Sequence, residues 1–163
     1  MKLKFILVPL AVLGFVVGSY ADDVTWVTPS DNVCVSNGGK IDEKGICEAN
    51  WENAKNICYS SGGKLPTMSE LNQVLIDCKG ISVDSSSLNK PMSKNIKNEY
   101  YQSCYKKQGF VNFEDYDYTS FYWSSTVHPS VSSLAYEIQF YYGLWGSQPM
   151  SYEHYVRCVK SKN

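Results

Sequence analysis

Six cysteines constrain this chain more than any other feature of its 163 residues. They are Cys34, Cys47, Cys58, Cys78, Cys104 and Cys158. An even number of cysteines in an exported protein predicts disulfide bonds, although six cysteines allow 15 different pairings. A zinc site would require closely spaced ligand pairs, such as two cysteines separated by two residues, and the sequence contains no such pair. We therefore expect three disulfides, and the spacing alone leaves their connectivity open.

The N-terminus provides the evidence for export. Lys2 and Lys4 precede an apolar run over residues 5–17, and Ser19 and Ala21 place small side chains where a signal peptidase reads them. The apolar run is shorter than the roughly 20 residues of a membrane-spanning helix. An uncleaved anchor is the alternative interpretation. We predict that residues 1–21 are a cleaved signal peptide and that the protein is secreted or periplasmic.

Cleavage after Ala21 would leave 142 residues, which is about the size of one domain. We divide them into an N-terminal lead-in, residues 22–32, and one domain, residues 33–163. Loss of two lysines from a chain with 15 basic and 16 acidic side chains gives a net charge of −3. Because nucleic-acid-binding domains normally carry a strongly basic surface, we expect no nucleic-acid partner.

Hydrophobic periodicity predicts two helices in the first half of the domain. Asn50 can cap a helix over residues 51–59. Thr67 and Glu70 have the spacing of a capping box at the start of a second helix. The apolar residues of this second helix repeat with helical spacing: Leu71, Val74, Leu75 and Cys78. Gly80 is expected to end it.

The remaining segments predict hairpins, strands and a long irregular stretch. The pattern of residues 33–47 predicts a hairpin that turns at Asn37, Gly38 and Gly39. Residues 81–119 have no regular period and predict an irregular segment. Aromatic and β-branched residues predict strands over residues 120–127, 134–142 and 154–160, with a turn at residues 143–149.

Alternation within the middle predicted strand assigns its side chains to two faces. Tyr136, Ile138 and Phe140 fall on one face, and Glu137 and Gln139 fall on the other. In the last predicted strand, Cys158 falls on a face that can pack against a helix. The predicted helix at residues 51–59 carries Cys58 on its own apolar face.

Two groups of motifs resemble a known family. The sequences WENAKNIC at residues 51–58 and GGKLPT at residues 62–67 are similar to the first helix and following turn of the C-type-lectin-like fold. Residues 122–126 (YWSST), 135–140 (AYEIQF) and 155–159 (YVRCV) resemble a bacterial branch of that fold. This branch is the domain named after the C-terminal part of the Legionella collagen-like adhesin.

The resemblance extends over residues 33–160 and implies both a fold class and a disulfide pattern. It implies an α+β, C-type-lectin-like fold in which two helices pack on small antiparallel sheets beside a long irregular loop region. The implied disulfides are Cys34–Cys47, Cys58–Cys158 and Cys78–Cys104. The buried faces assigned to Cys58 and Cys158 independently favour the second of these bonds.

The calcium-dependent sugar site of C-type lectins is not preserved in this sequence. Such lectins use Glu-Pro-Asn or Gln-Pro-Asp together with Trp-Asn-Asp, whereas this chain has Gln148-Pro149-Met150 and no Trp-Asn-Asp. Glu114, Asp115 and Asp117 form a dense acidic cluster and are weak calcium candidates. A solvated acidic loop is the alternative. We expect neither a metal nor a cofactor.

Aromatic and basic residues provide the candidate ligand-binding site. The candidates are Tyr116, Tyr118, Tyr141, Tyr142, Trp145, Lys106 and Lys107. Exposed tyrosine and tryptophan side chains combine a flat apolar area with a polar group, which suits recognition of sugars or proteins. Clustered lysines attract polyanions. Core packing of the aromatic rings and ordinary surface lysines are the alternatives.

Oxidation of all six thiols would leave no cysteine nucleophile, and we expect no enzyme and no catalytic residues. The predicted function is a ligand-binding or adhesion module that recognises a glycan or polyanionic sugar without calcium. The alternative is a structural or interaction subunit of a cell-envelope or surface assembly that binds another protein. The sequence does not define an oligomeric state.

Overall fold

The computed structural model describes residues 24–87, 92–111 and 120–162, which form an α+β fold. The helices in these ranges are α1 (Asp31–Ser36), α2 (Trp51–Ser60), α3 (Met68–Asp77), α4 (Met92–Ile96) and α5 (Glu99–Lys107), with a 3-10 turn at Ser85–Ser87. The strands are β1 (Val24–Val27), β2 (Lys40–Ile41), β3 (Cys47–Ala49), β4 (Val83–Asp84), β5 (Tyr122–Val127), β6 (Leu134–Gln139), β7 (Leu144–Pro149), β8 (His154–Tyr155) and β9 (Cys158–Ser161).

Three disulfides fasten these elements together. They are Cys34–Cys47, Cys58–Cys158 and Cys78–Cys104, with sequence separations of 13, 100 and 26 residues. These are the pairs that the family resemblance implied. The α+β class and the three disulfides expected from the sequence are therefore confirmed.

The strands form two sheets. The larger sheet has the order β2-β3-β8-β5-β6-β7-β4, in which the β5–β8 and β4–β7 pairs are parallel. The smaller sheet is the antiparallel pair β1–β9, with a register that runs from Val24 opposite Ser161 to Val27 opposite Cys158. The predicted lead-in thus contributes a strand that pairs with the last strand of the chain.

Helices cover the larger sheet on both faces. Tyr122 and Trp123 are neighbours in β5, so their side chains point to opposite faces. Tyr122 packs in one core cluster with residues of α3, α5 and β6: Leu71, Leu75, Tyr101, Tyr105 and Ile138. Trp123 packs in the other cluster with α2 and neighbouring strands: Ala54, Ile57, Cys58, Ala135 and Val156. Both faces of the central strands are consequently buried.

The predicted hairpin over residues 33–47 is wrong in its first half. Residues 31–36 form α1, where the Ser30 hydroxyl accepts a hydrogen bond from the backbone N–H of Val33. The hairpin is the shorter pair β2–β3. A helix of six residues spans fewer than two turns, so it leaves no repeating apolar pattern in the sequence.

The predicted irregular segment over residues 81–119 is also wrong, because it contains α4 and α5 in its described part. The fold consequently has more than the two helices that were expected. Asn98 caps α5 by accepting a hydrogen bond from the N–H of Tyr101. Tyr101 and Tyr105 are one turn apart and fully buried, and Cys104 bonds to Cys78 beside α3. Because tyrosine carries a polar hydroxyl, the buried face of α5 does not appear as an apolar stripe in the sequence.

The C-terminal part differs from the prediction in two respects. Residues 144–149 form β7, which pairs along its length with β6, and are not a turn. Both faces of β6 are buried, since Glu137 and Gln139 on its second face are 3% and 2% exposed. The predicted strand over residues 154–160 is divided between β8 and β9, which belong to different sheets.

The capping box predicted at the start of α3 is confirmed. The Thr67 hydroxyl accepts from the Glu70 N–H, and the Glu70 carboxylate accepts from the Thr67 N–H at 2.6 Å. The ammonium of Lys64 lies 3.1 Å from the same carboxylate. Burial opposes ionisation of Glu70, but the Thr67 hydrogen bonds and Lys64 outweigh it and lower the pKa of the carboxyl.

We expect Glu70→Gln to destabilise the protein by about 0.5 kcal/mol at neutral pH, because glutamine can keep the capping-box hydrogen bond but lacks the negative charge that interacts with Lys64 and with the start of the helix. Because the pKa of Glu70 is lowered in the folded state, its stabilisation is present above the ordinary pKa of about 4.3 and is lost as the pH falls through the folded value. Urea unfolding at a series of pH values measures this. Glu43→Gln, at an exposed position, is the control. A difference from wild type that persists unchanged in acid would contradict this prediction.

We also expect the disulfides to differ in their contribution to stability. In the chain-entropy model, loops of 100, 26 and 13 residues correspond to about 4.7, 3.5 and 2.9 kcal/mol respectively. The double variant Cys58→Ser/Cys158→Ser should therefore show the largest fall in Tm in thermal melts. Tyr59→Ala is the matched control, because Tyr59 neighbours Cys58 in α2 and is 82% exposed. A smaller fall than for Cys34→Ser/Cys47→Ser would refute the ranking.

Candidate ligand-binding site

A groove of about 350 Å³ lies between the start of α3 and the strand pair β6–β7. The residues that line it are Met68, Ser69, Asn72, Ser82, Thr126, Tyr136 and Trp145. Its volume falls within the lower part of the range that is typical for small-molecule sites, roughly 300–1,000 Å³. None of the lining side chains carries a formal charge at neutral pH. The groove thus combines aromatic and thioether surface with neutral hydrogen-bonding groups.

The register of β6 and β7 places the two aromatic rings. Ile138 is opposite Trp145, and Tyr136 is opposite Ser147. Opposed residues, and residues two apart in a strand, share a face, so Tyr136, Ile138 and Trp145 all lie on the side covered by α3. Ile138 is buried in the core, whereas Tyr136 and Trp145 are half-buried. Their rings are 5.8 Å apart in an edge-to-face arrangement.

The opposite wall is the first part of α3. The backbone N–H of Met68 donates to the hydroxyl of Thr126 on β5 at 2.9 Å. This bond and the capping box together fix where the helix begins relative to the sheet. Ser69 and Asn72 are three residues apart, so they lie on the same side of the helix. Ser82 reaches the groove from the residue before β4, where Asp84 pairs with Trp145.

The polar groups of the groove are mostly unused by the fold. The Oδ1 atom of Asn72 is buried and has no hydrogen-bond partner. The Ser69 and Ser82 side chains make no hydrogen bond to any other residue in the described ranges. Asn95 provides the contrast, because its side chain bonds to both the N–H and the C=O of Ile81 and to the C=O of Tyr142. Buried polar atoms are normally paired, so Asn72 has an unmet requirement for a donor.

Of the aromatic candidates that lie within the described residues, Trp145 lines this groove, whereas Tyr141 and Tyr142 do not. Tyr141 and Tyr142 pack against each other with ring centroids 4.7 Å apart. The backbone C=O of Tyr141 accepts a hydrogen bond from Gln102 on α5, and that of Tyr142 accepts one from Asn95 on α4. These two tyrosines therefore lie beside α4 and α5.

The predicted basic candidates, Lys106 and Lys107, lie in the last turn of α5 and are exposed. Neither lysine lines the groove. Tyr116, Tyr118 and the weak calcium candidates Glu114, Asp115 and Asp117 lie outside the described residues. Met150 of the Gln-Pro-Met tripeptide packs against the α2 core cluster, which is a structural role.

Most of the groove residues were missed from the sequence. Ser69 and Asn72 lie off the apolar stripe of α3, where any polar residue would be expected. Ser82, Thr126 and Tyr136 come from three other parts of the chain. No local signal connects them, because the groove depends on how α3 packs against β5, β6 and β7.

A buried acid–base pair lies elsewhere, on the α2 side of the sheet. His154 Nε2 is 2.6 Å from Glu137 Oε2, and the two side chains are 11% and 3% exposed. The His154 ring packs edge-on to Trp123 at 4.4 Å. Neither residue of the pair lines the groove. Their burial separates both side chains from solvent.

Two other ionisable side chains, Tyr155 and Arg157, form hydrogen bonds to other parts of the fold. Burial, together with a hydrogen bond to Asp42, raises the pKa of Tyr155. Burial lowers the pKa of Arg157, whose Nη2 donates to the backbone C=O of Gln108 at 2.7 Å. The Gln108 carbonyl lies at the end of α5, so this bond links the Arg157 side chain to that helix. Tyr155 and Arg157 thus form contacts between separate parts of the fold.

Within residues 24–87, 92–111 and 120–162, no group of three or more His, Cys, Asp or Glu side chains is arranged to hold a metal ion. In the same ranges, no helix has the length and apolar character to cross a membrane. All six cysteines are in disulfides.

No protein-family model matches this sequence, and a search of curated proteins finds no similar one.

Proposed function

We propose that this protein is an exported, non-catalytic binding module that holds a neutral glycan in the groove between α3 and β6–β7. The observation that carries the proposal is the lining of the groove, in which an aromatic pair lies beside Ser69, Asn72 and Ser82, whose side chains make no hydrogen bonds to other described residues. Such a site is built to bind a molecule rather than to stabilise the chain.

The aromatic pair favours a sugar. A pyranose ring presents flat C–H surfaces bordered by hydroxyl groups, and aromatic rings provide flat apolar area of matching size. Tyr136 and Trp145 stand edge-to-face, so they offer two apolar walls that meet at an angle. Ser69, Ser82 and Asn72 can supply the hydrogen bonds that orient hydroxyl groups between these walls.

The electrostatics favour a neutral ligand over a polyanionic one. The groove has no lysine or arginine in its lining, and Lys106 and Lys107 are on α5. A sulfated sugar in this groove would lose water without gaining a cationic partner, which is costly. Calcium is not part of the proposed site, because its oxygen groups are hydroxyls and an amide and carboxylates are absent from its lining.

Membership of the C-type-lectin-like family is part of the same proposal. The disulfides support it, because Cys58–Cys158 joins the helix that resembles the first lectin helix to the last strand, and Cys34–Cys47 staples the N-terminal segment. The pairing of β1 with β9 also brings the first and last strands together. The similarity to the bacterial adhesin branch rests on the motifs quoted above.

Export to the periplasm or the exterior is proposed on two grounds. Three disulfides persist in oxidising compartments and are rare in the cytosol. The N-terminal motif of a charged start, an apolar run and small residues is that of a cleaved signal peptide.

A second candidate function is docking to another protein in an envelope assembly. Ile76 and Tyr100 are 56% and 55% exposed, and Ile81 and Ile96 are 36% and 37% exposed. The Lys79 ammonium lies over the Tyr100 ring, which links the end of α3 to α5. The Ile81 backbone N–H donates to the side chain of Asn95, the residue before Ile96. Exposed aliphatic side chains in one region favour a protein partner.

We expect Trp145→Ala to weaken glycan binding by at least about tenfold, because it removes the larger aromatic wall. Trp145 also touches the core, so Ser69→Arg is a second variant. It fills the groove from an exposed position without disturbing packing. Glycan arrays followed by calorimetry measure the loss, and Tyr152→Ala, 54% exposed and outside the groove lining, is the control.

Salt dependence separates the neutral groove from the lysine surface. Binding in a groove without charges should be nearly unchanged between low and high ionic strength, whereas attraction of a polyanion by Lys106 and Lys107 would weaken as salt screens it. Glycan binding that survives both Trp145→Ala and Ser69→Arg, or that disappears in salt, would refute the proposed site.

A further inference from the structure

Helix α5 has one face that is open to solvent. Tyr101 and Tyr105 are buried on one side of the helix. The exposed positions follow helical spacing on the other side: Glu99, Tyr100, Ser103, Lys106 and Lys107. None of these five residues lines the groove between α3 and β6–β7. The exposed side of α5 is therefore a surface separate from the groove.

The end of α3 borders this surface on one side. A disulfide joins Cys78, just after α3, to Cys104 of α5. Lys79 follows Cys78, and its ammonium lies 5.1 Å from the centre of the Tyr100 ring. Lys79 therefore extends the exposed surface of α5 beside Tyr100.

Helix α4 borders the surface on the other side. The amide of Gln102 in α5 donates to the backbone C=O of Asn95 in α4 at 3.1 Å. Because Gln102 and Cys104 are two residues apart, they lie on nearly opposite sides of α5. The exposed residues in α4 and directly after it are Ser93, Lys94, Ile96 and Lys97. We call the exposed side chains of α4 and α5, together with Lys79 and Lys97, the α5 face.

The α5 face is strongly cationic. Its one acidic residue is Glu99, and its basic residues are Lys79, Lys94, Lys97, Lys106 and Lys107. None of these lysines forms an ion pair with a carboxylate of the described residues, whereas Lys40, Lys55 and Lys64 each do. In the remainder of the described residues, acidic side chains outnumber basic ones. Unpaired positive charge is therefore concentrated on this face.

Apolar side chains lie among these lysines. Tyr100 and Ile96 are 55% and 37% exposed. A tyrosine ring suits the boundary between hydrocarbon and water, because it has an apolar body and a polar tip. A lysine can bury its stem against apolar material while its ammonium reaches a polar layer. The face thus combines cations with apolar groups that can leave water.

We propose that the α5 face docks on a bilayer that contains anionic phospholipids. The lipid phosphates neutralise the lysines, while Tyr100 and Ile96 enter the boundary between head groups and acyl chains. The proposal goes beyond glycan binding, because it assigns a second partner to a different surface of the protein.

The composition of the face favours a lipid surface over other partners. Ile96 and Tyr100 belong to the region described above for protein docking. Interfaces between proteins, however, are enriched in arginine and depleted in lysine, and the α5 face has lysines and no arginine. A polyanionic sugar would neutralise the lysines but has no hydrocarbon to cover Ile96. Of these three partners, the lipid surface matches both the charge and the apolar groups.

Vesicle flotation with the exported protein tests the proposal. Mass spectrometry first verifies that residues 1–21 are absent, because their apolar run could itself bind a bilayer. Vesicles of equal parts phosphatidylglycerol and phosphatidylcholine should bind the protein at least about tenfold more strongly than vesicles of phosphatidylcholine alone, and added salt should weaken this binding. Equal binding to both kinds of vesicle, or binding to neither, would overturn the proposal and leave the glycan groove standing.

Charge variants locate the binding surface. Each lysine near an anionic leaflet contributes about fivefold to binding, so Lys106→Gln/Lys107→Gln should reduce the affinity for mixed vesicles at least about tenfold. Lys44→Gln/Lys160→Gln is the control, because it makes the same change in net charge at exposed positions outside the α5 face. Equal losses in the two double variants would show that net charge alone drives binding, and this would overturn the role of the face.

An apolar variant separates a bilayer from a soluble polyanion. Tyr100→Gln leaves the charge unchanged and should reduce the affinity for mixed vesicles about threefold, because less apolar surface leaves water. Tyr59→Gln, on α2 and 82% exposed in the wild type, should have no effect. Circular dichroism verifies the fold of each variant. Full affinity in Tyr100→Gln would indicate attraction of charge only and would contradict docking on lipid.

Discussion

The covalent bond between Cys58 and Cys158 ties the second helix to the last strand across 100 residues of sequence. Around this bond the backbone closes tightly, since Lys64 and Val159 exchange two hydrogen bonds of 2.9 Å. Gly63 is required there, because a Cβ at this position would lie 2.7 Å from the Val159 carbonyl oxygen. β9 also pairs with β1. The first and last strands of the described residues therefore lie beside this disulfide.

The position of the groove depends on this disulfide and on the Lys64–Val159 hydrogen bonds beside it. Only residues 61–67 separate α2 from α3, so fixing the end of α2 limits where α3 can begin. The Pro66 carbonyl accepts from Ser125 at 2.7 Å and Thr126 accepts from Met68, which attach the connection and the helix start to β5. The neighbouring strands β6 and β7 carry Tyr136 and Trp145. The Cys58–Cys158 disulfide on one side of the sheet thereby helps to fix the wall of the groove on the other side.

Features governed by local chemistry were predictable from the sequence, and features governed by tertiary partners were not. Thr67 and Glu70 are close in sequence, so their capping box was predicted correctly. The helix α5 was missed because Tyr101 is buried by packing against distant residues, with its hydroxyl bonded to the Phe140 carbonyl. β7 was missed because its Gly146 and Ser147 are typical of turns, and its extended conformation comes from pairing with β6. Trp145 was a candidate from the sequence and lines the groove, whereas no pattern in the sequence pointed to Asn72.

Ser69, Asn72 and Ser82 contribute no side-chain hydrogen bonds to the described fold. These residues of the groove lining are therefore separate from the interactions that hold the fold together. The disulfides, the capping box and the two core clusters hold the scaffold without them. Substitutions at these three positions should therefore cost little folding free energy. Under the proposed function, changes at these few positions would alter the ligand while the disulfide-bonded framework stays the same.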